Sequence, residues 1–163
     1  MEHERRLYFL RHGLADHPDF RGDDDRRPLT REGEVRLRGE AACIDGLDLD
    51  LDVILTSPLT RAAQTAAIVA GRLGLADRVL EEPRLGPGFG VAALAAILAE
   101  LPAGHQRIML VGHEPGLSLV IGEITGGSDV VMKKGGLARV DLHNDEELHG
   151  SLVWLLPPKV MQG

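Results

Sequence analysis

Short apolar runs alternate along the chain with longer stretches in which apolar residues recur every three or four positions. The longer stretches predict helices over about 31–47, 58–73, 90–101 and 116–124. The short runs predict six strands: "RLYFLR", "DVILTS" (52–57), "RVL" (78–80), "RIMLVG" (107–112), "GLARVDL" (136–142) and "SLVWLL" (151–156). This alternation predicts a three-layer α/β/α sandwich with a mostly parallel central sheet. The last two strands follow each other through "HNDEELHG", so we expect an antiparallel hairpin at one edge.

Length and composition restrict the class of protein. A chain of 163 residues suits a single domain over 1–163, and with only 3% aromatic residues its core must be filled by Leu, Val, Ile and Ala. The formal net charge of −7 argues against nucleic acid or an anionic membrane as a partner. The single cysteine Cys43, the charged start "MEHERR" and the lack of an apolar run of about 20 residues predict a cytoplasmic protein.

Two helix starts carry recognisable capping residues. In "PLTREGE" Thr30 is the predicted N-cap, followed by Glu32 and Glu34 in the first turn, where negative charge is favourable. In "SPLTRAAQTA" Ser57 is the predicted N-cap, with Pro58 at the first helical position and Arg61 in the first turn.

Cationic and imidazole side chains follow three of the predicted strands. Arg11, His12 and Gly13 follow the first strand, Arg61 follows the second, and His113 comes directly after "RIMLVG". Because parallel strands end at the same edge of a sheet, these side chains converge if the strands are neighbours.

The residue types in this group distinguish a metal site from a phosphate site. Two arginines beside a metal ion would repel it, so no metal site is expected. A phosphate dianion suits guanidinium forks, imidazole donors and free N–H groups at a helix start. Nearby arginines also lower the pKa of an imidazole, which leaves a neutral ring able to attack phosphorus.

The chain contains four motifs in the order "RHG", "RPLTREG", "SPLTRAAQTA" and "VGHEPG". They resemble the motifs of the histidine phosphatase superfamily, the phosphoglycerate-mutase-like group. The short chain also resembles the SixA phosphohistidine phosphatase branch of that superfamily. The resemblance implies that His12 becomes phosphorylated, that Arg11 and Arg61 hold the phosphoryl oxygens, and that His113 completes the pocket. It also implies that no cofactor is needed. Further substrate contacts are expected from three residues: Arg27, Gly13 and Ser57.

One segment departs from the pattern of the larger members of this superfamily. Those proteins carry a Glu or Asp general acid between the arginine helix and the second histidine, where this chain reads "EEPRLGPGFGVAALAAIL". An alkoxide leaving group needs such an acid, whereas an imidazole, with an ordinary pKa of about 6.5, departs more easily. The predicted substrate is therefore phosphohistidine on a partner protein, such as a histidine-containing phosphotransfer domain. Four residues remain possible substitutes for the acid: Asp16, Asp24, Glu81 and Glu82.

Two alternatives remain open. A small-metabolite phosphomonoesterase of the same superfamily would have an enclosed pocket and a usable carboxylate near His113. A non-catalytic phospho-ligand binding module would bind the anion without forming an adduct on His12.

Overall fold

A six-stranded mixed sheet forms the centre of the molecule. The computed structural model describes residues 5–144 and 147–162. The strands are β1 (Arg6–Arg11), β2 (Val53–Thr56), β3 (Val79–Glu81), β4 (Arg107–Gly112), β5 (Leu137–Asn144) and β6 (His149–Leu156), in the spatial order β3-β2-β4-β1-β5-β6. The first four strands run parallel, and β5 pairs antiparallel with both β1 and β6. The predicted α/β class and the edge hairpin are confirmed.

Helices cover both faces of this sheet. The described helices are α1 (Arg31–Gly46), α2 (Thr60–Leu73), α3 (Val91–Glu100), α4 (Gly116–Ile124) and a short α5 (Pro158–Met161), with single 3-10 turns at Asp24–Arg26, Ala76–Arg78 and Pro83–Leu85. Along β1 the side chains alternate: Leu7 and Phe9 join the core under α3 and α4, while Tyr8 and Leu10 join the core under α1 and α2. No described helix has both the length and the apolar composition that a membrane span needs.

The two predicted helix starts have different outcomes. Thr30 is the N-cap of α1, and its hydroxyl accepts a hydrogen bond from the Gly33 amide at 2.9 Å. The prediction for α2 was wrong, because the helix begins at Thr60 and Leu59 occupies the cap position without a side-chain hydrogen bond. The physical reason is that the backbone N–H of Ser57 donates to the Val111 carbonyl of β4 at 3.0 Å, which keeps Ser57 in the extended chain after β2.

Candidate active site

Three neighbouring strands bring the predicted residues together. Strands β2, β4 and β1 are adjacent in the sheet, and Arg11 at the end of β1 pairs with Gly112 at the end of β4. The imidazole rings of His12 and His113 lie with their centroids 5.2 Å apart and their planes tilted by 53°. Both histidines and Arg61 are buried. The predicted convergence at one edge of the sheet therefore occurs.

One ring nitrogen of His12 forms a hydrogen bond to the backbone. Its Nδ1 lies 2.7 Å from the carbonyl oxygen of Gly13. A carbonyl oxygen only accepts, so Nδ1 carries the proton and Nε2 keeps its lone pair. The pKa of His12 is lowered to about 3, mainly by burial; His113 and the two arginines contribute to this lowering, and the Gly13 hydrogen bond opposes it. The ring is therefore neutral near pH 7, the form that a nucleophile requires.

His113 faces His12 and is held by a serine. Its Nε2 lies 2.7 Å from Oγ of Ser57, while Nδ1 is buried and has no hydrogen-bond partner within the described part of the chain. Its pKa is lowered to about 4, mainly by burial and in addition by the charges of Arg61 and Arg11. A neutral His113 can donate one hydrogen bond to an anion without adding positive charge.

Two guanidinium groups flank the histidines. Nη1 of Arg11 donates to the Met132 carbonyl at 2.8 Å, and Nη1 of Arg61 donates to the Asp24 carbonyl at 2.8 Å. The Nε of each arginine is buried and has no partner among residues 5–144 and 147–162. Burial is the main cause that lowers both pKa values, but guanidinium groups stay charged at neutral pH. Buried donors without acceptors are costly, and a bound oxyanion would satisfy them.

Arg27 and Arg61 both contact the carboxylate of Asp24, which places the two arginines next to each other. Nε of Arg27 donates to Oδ1 of Asp24 at 2.9 Å, and Nη2 of Arg61 lies 3.4 Å from Oδ2 of the same carboxylate. Nη1 of Arg27 donates to the Ala15 carbonyl. The charge of Arg27 also lowers the pKa of Arg61, which places the two cations near each other. Arg27 is thus brought to the site as predicted, on the exposed side of it.

Gly13 and Ser57, predicted as further substrate contacts, both make hydrogen bonds inside the protein next to the histidines. The Gly13 amide donates to Oγ1 of Thr65 at 3.1 Å, and its carbonyl accepts from His12. Ser57 is fully buried, and its hydroxyl accepts from the Leu59 amide at 3.2 Å and contacts His113. These hydrogen bonds link both residues to the two histidines, and a direct contact of Gly13 or Ser57 with a substrate stays a prediction.

The carboxylates considered as general acids are paired with cations. A hydrogen bond from Lys134 lowers the pKa of Asp16, and one from Arg27 lowers that of Asp24. A hydrogen bond from Arg84 likewise lowers the pKa of Glu82. A general acid at neutral pH needs a raised pKa, so these three shifts run in the wrong direction. Glu81 lies exposed on the edge strand β3.

A small cavity of about 130 Å³ opens beside Arg61 and His113. The segment that carries the acid in larger members of the superfamily contributes only two glycines and a proline to its wall. The cavity does contain one carboxylate, that of Glu114, whose Oε1 accepts from the Ser118 amide at 3.0 Å and whose Oε2 accepts from the Ser118 hydroxyl. The lining residues are Arg61, Gly86, Pro87, Gly88, His113, Glu114, Pro115 and Gly116.

Sequence reasoning missed three contributors to the site. Thr65 stands four residues after Arg61, a spacing that places both on one helix face and could have indicated a link between them. Glu114 follows His113 directly in the "VGHEPG" motif, and this adjacency could have indicated a carboxylate at the site. The Met132 carbonyl could not be found from sequence, because any residue type supplies the same acceptor. Within the described ranges, no group of three or more His, Cys, Asp or Glu side chains is placed to hold a metal ion.

Comparisons with known proteins agree with this geometry. The family described as "Histidine phosphatase superfamily (branch 1)" matches residues 7–86. An uncharacterized protein of Picosynechococcus sp. (strain PCC 7002) is 39% identical, over 93% of this chain and 99% of its own length. The phosphohistidine phosphatase SixA of Escherichia coli (strain K12) is 29% identical over 93% of each chain.

The solved structures include a close match to the whole fold. The structure of the protein histidine phosphatase SixA complexed with tungstate superposes with a TM-score of 0.84 at 27% identity, covering 95% of this chain and 98% of that one. The matched residues 7–86 contain His12 and Arg61, and the full-length similarity extends to the region of His113. The chain therefore belongs to the histidine phosphatase superfamily.

Proposed function

We propose that this chain is a phosphatase that removes the phosphoryl group from phosphohistidine on a partner protein, with His12 as the nucleophile. The observation that carries the proposal is the neutral His12 ring, whose Nδ1 is bound to the Gly13 carbonyl and which lies 5.2 Å, centroid to centroid, from His113 and within the electrostatic influence of Arg11 and Arg61. The similarity to SixA supports the substrate class. The lone cysteine, Cys43, fits a reducing compartment, so we place the enzyme in the cytoplasm.

The reaction proceeds in two displacements. The Nε2 lone pair of His12 attacks phosphorus, a P–N bond to His12 forms, and the P–N bond of the substrate breaks. The other ring nitrogen of the substrate imidazole takes up a proton from water, so the departing electron pair leaves a neutral imidazole. Water then attacks phosphorus, the bond to Nε2 breaks, and inorganic phosphate and free His12 result. Dividing the reaction in this way replaces one difficult displacement by two easier ones.

Charge on the transferring group is stabilised by fixed donors. Arg11 and Arg61 supply buried N–H groups, and His113 supplies a neutral imidazole. These donors are already in place before the reaction, so little reorganisation is needed as charge develops on the phosphoryl oxygens. Removing one such donor typically costs about 100- to 1000-fold in rate, and we expect this loss for Arg61→Met.

The surrounding carboxylates favour phosphohistidine over an ordinary phosphate ester. Asp16, Asp24 and Glu82 are held ionised by their cationic partners, as their lowered pKa values indicate. None of the three is suited to protonate an alkoxide. An imidazole leaving group does not depend on such an acid, because its ordinary pKa of about 6.5 lets it leave after ring protonation.

The test compares a phosphorylated histidine-containing phosphotransfer protein with p-nitrophenyl phosphate. We expect wild type to dephosphorylate the protein with the higher kcat/KM and to form a 32P adduct that is labile in acid and stable in base. His12→Ala should lose the adduct and at least about 1000-fold in activity. His143→Ala is the matched control, since His143 is exposed near the far end of β5 and bonds only to Ser151 among the described contacts. Ester hydrolysis without dephosphorylation of the protein would contradict the substrate assignment.

A second candidate function follows from Glu114. Its carboxylate lines the same cavity as His113 and Arg61, so it is placed to serve as the acid of a small-metabolite phosphomonoesterase. Both of its oxygens accept hydrogen bonds from Ser118 at the start of α4, which instead suits a capping role.

Glu114→Gln separates these two roles. If Glu114 only caps α4, the variant should keep phosphohistidine hydrolysis within about 3-fold of wild type, because the amide oxygen still accepts from the Ser118 amide. Ester hydrolysis that falls at least about 100-fold in Glu114→Gln, with a shifted pH profile, would instead assign Glu114 as a general acid and favour the metabolite phosphatase.

A further inference from the structure

A single threonine hydroxyl connects two residues of the site through the backbone. We infer that Thr65 is a positioning residue that selects the tautomer of His12 by fixing the His12–Gly13 peptide. This inference rests on the proposed role of His12 as the nucleophile and adds a residue on which that role depends. Thr65 itself touches no reacting atom.

The hydrogen bonds of Thr65 have a defined direction. Thr65 is fully buried on α2, and its Oγ1 lies 2.7 Å from the Arg61 carbonyl and 3.1 Å from the Gly13 amide nitrogen. A hydroxyl has one proton, and the Arg61 carbonyl can only accept it. The Thr65 oxygen is therefore left as the acceptor for the Gly13 N–H.

The peptide between His12 and Gly13 is held on both sides. Its carbonyl oxygen accepts from the Gly135 amide at 3.0 Å, and its N–H donates to Thr65. A peptide fixed at both polar atoms cannot rotate about the chain direction. This orientation keeps the next carbonyl, that of Gly13, at 2.7 Å from Nδ1 of His12.

Packing makes this arrangement specific to glycine at position 13. A Cβ at Gly13 would lie 2.6 Å from Cδ1 and 2.9 Å from Cγ of the buried Leu37 on α1, so Leu37 would have to shift to admit a larger residue. Gly13 itself adds backbone freedom, which the hydrogen bond to Thr65 removes. The two features together hold the carbonyl that His12 needs.

Loss of the Thr65 hydroxyl should redistribute the His12 proton. The Gly13 N–H would be buried without an acceptor, and the peptide would turn to find another. The Gly13 carbonyl would then leave Nδ1, and the neutral ring would populate the tautomer with the proton on Nε2. That tautomer has no lone pair on Nε2 to attack phosphorus.

The experiment uses Thr65→Val, which keeps the shape of the side chain and removes the hydroxyl, with Thr65→Ala as a second variant should the first fail to fold. Thr65→Ser restores the hydroxyl. Thr125→Val is the matched control, because Thr125 makes the same bond to a carbonyl four residues earlier, with Oγ1 2.6 Å from the Ile121 carbonyl, but does so on α4. The readouts are the 15N NMR signature of the His12 tautomer and the single-turnover rate of phosphohistidine formation.

We expect Thr65→Val to slow phosphohistidine formation by about 10- to 100-fold and to raise the Nε2–H tautomer, while Thr65→Ser and Thr125→Val stay near wild type. A folded Thr65→Val with the wild-type tautomer would overturn the inference, whether or not its rate falls. If wild type forms no phosphohistidine, the proposed function fails, and the NMR comparison alone still decides the role of Thr65.

Discussion

At the scale of single residues, the two imidazoles dominate the pH behaviour of the site. His12 and His113 have pKa values lowered to about 3 and about 4, mainly by burial. In the unfolded chain each returns to about 6.5. Between the folded and the unfolded pKa values, the unfolded chain therefore binds more protons than the folded one. The contribution of the two neutral histidines to the free energy of unfolding is thus present above pH 6.5 and is lost as the pH falls toward 4.

This linkage gives a measurable prediction. Between pH 7 and pH 5 each histidine should lower the free energy of unfolding by about 2 kcal/mol, because the unfolded ring gains a proton that the folded ring does not. His12→Asn removes one such group and should make the pH dependence shallower by that amount. Urea unfolding of wild type, His12→Asn and His143→Asn across this range tests it. An unchanged slope in His12→Asn would show that the folded ring does take up the proton.

At the scale of elements, α1 carries a buried carboxyl group beneath the loop that supports His12. Glu40 is 2% exposed, Nε2 of Gln162 donates to its Oε1 at 3.2 Å, and its Oε2 has no partner among the described residues. Gly135, at φ 83°, lies against this carboxyl, and a Cβ there would be 2.6 Å from Oε1. Burial raises the pKa of Glu40 to about 7, although the hydrogen bond from Gln162 and the charge of Arg36 oppose the shift.

Glu40 changes the stability of the fold with pH in the opposite direction to the two histidines. Between about pH 4.5 and 7 the folded Glu40 keeps a proton that the unfolded chain loses, so its contribution to stability falls as the pH rises. We predict that Glu40→Gln raises the free energy of unfolding at pH 8 by about 3 kcal/mol and has a much smaller effect at pH 5. Glu32→Gln, an exposed position on the same helix, is the control. If Glu40→Gln were less stable than wild type at pH 8, the prediction that the buried Glu40 charge destabilises the fold would be wrong.

The starts of α1 and α2 show which features of an element can be predicted from sequence. Thr30 caps α1 through a bond to Gly33, a contact within three residues that the local pattern contains. Ser57 and Pro58 also form a local helix-start pattern, but the Ser57 backbone N–H bonds to the Val111 carbonyl, 54 positions away along the chain, and keeps Ser57 in the extended segment. Capping that depends on neighbours in sequence was predictable, whereas a helix start shifted by a distant backbone hydrogen bond was not.

At the scale of the whole molecule, the strand order decides that the motifs meet. The sequence predicted which residues follow each strand and that the sheet is mostly parallel. It did not predict that β1 lies between β4 and β5, since hydrophobic pattern does not specify which strands are neighbours. Arg11, His12, Arg61 and His113 were identified from their position at strand ends, whereas Thr65 and the Met132 carbonyl were visible only after the elements had packed.

The central position of β1 also affects what happens when the chain is incomplete. Both hydrogen-bonded neighbours of β1 come from much later in the sequence, β4 at Arg107–Gly112 and β5 at Leu137–Asn144. A fragment that stops before β4 would leave Leu7, Tyr8, Phe9 and Leu10 as an apolar strand with two unpaired edges. Such edges pair readily with other chains, so truncated products of this protein should aggregate instead of remaining as inactive monomers.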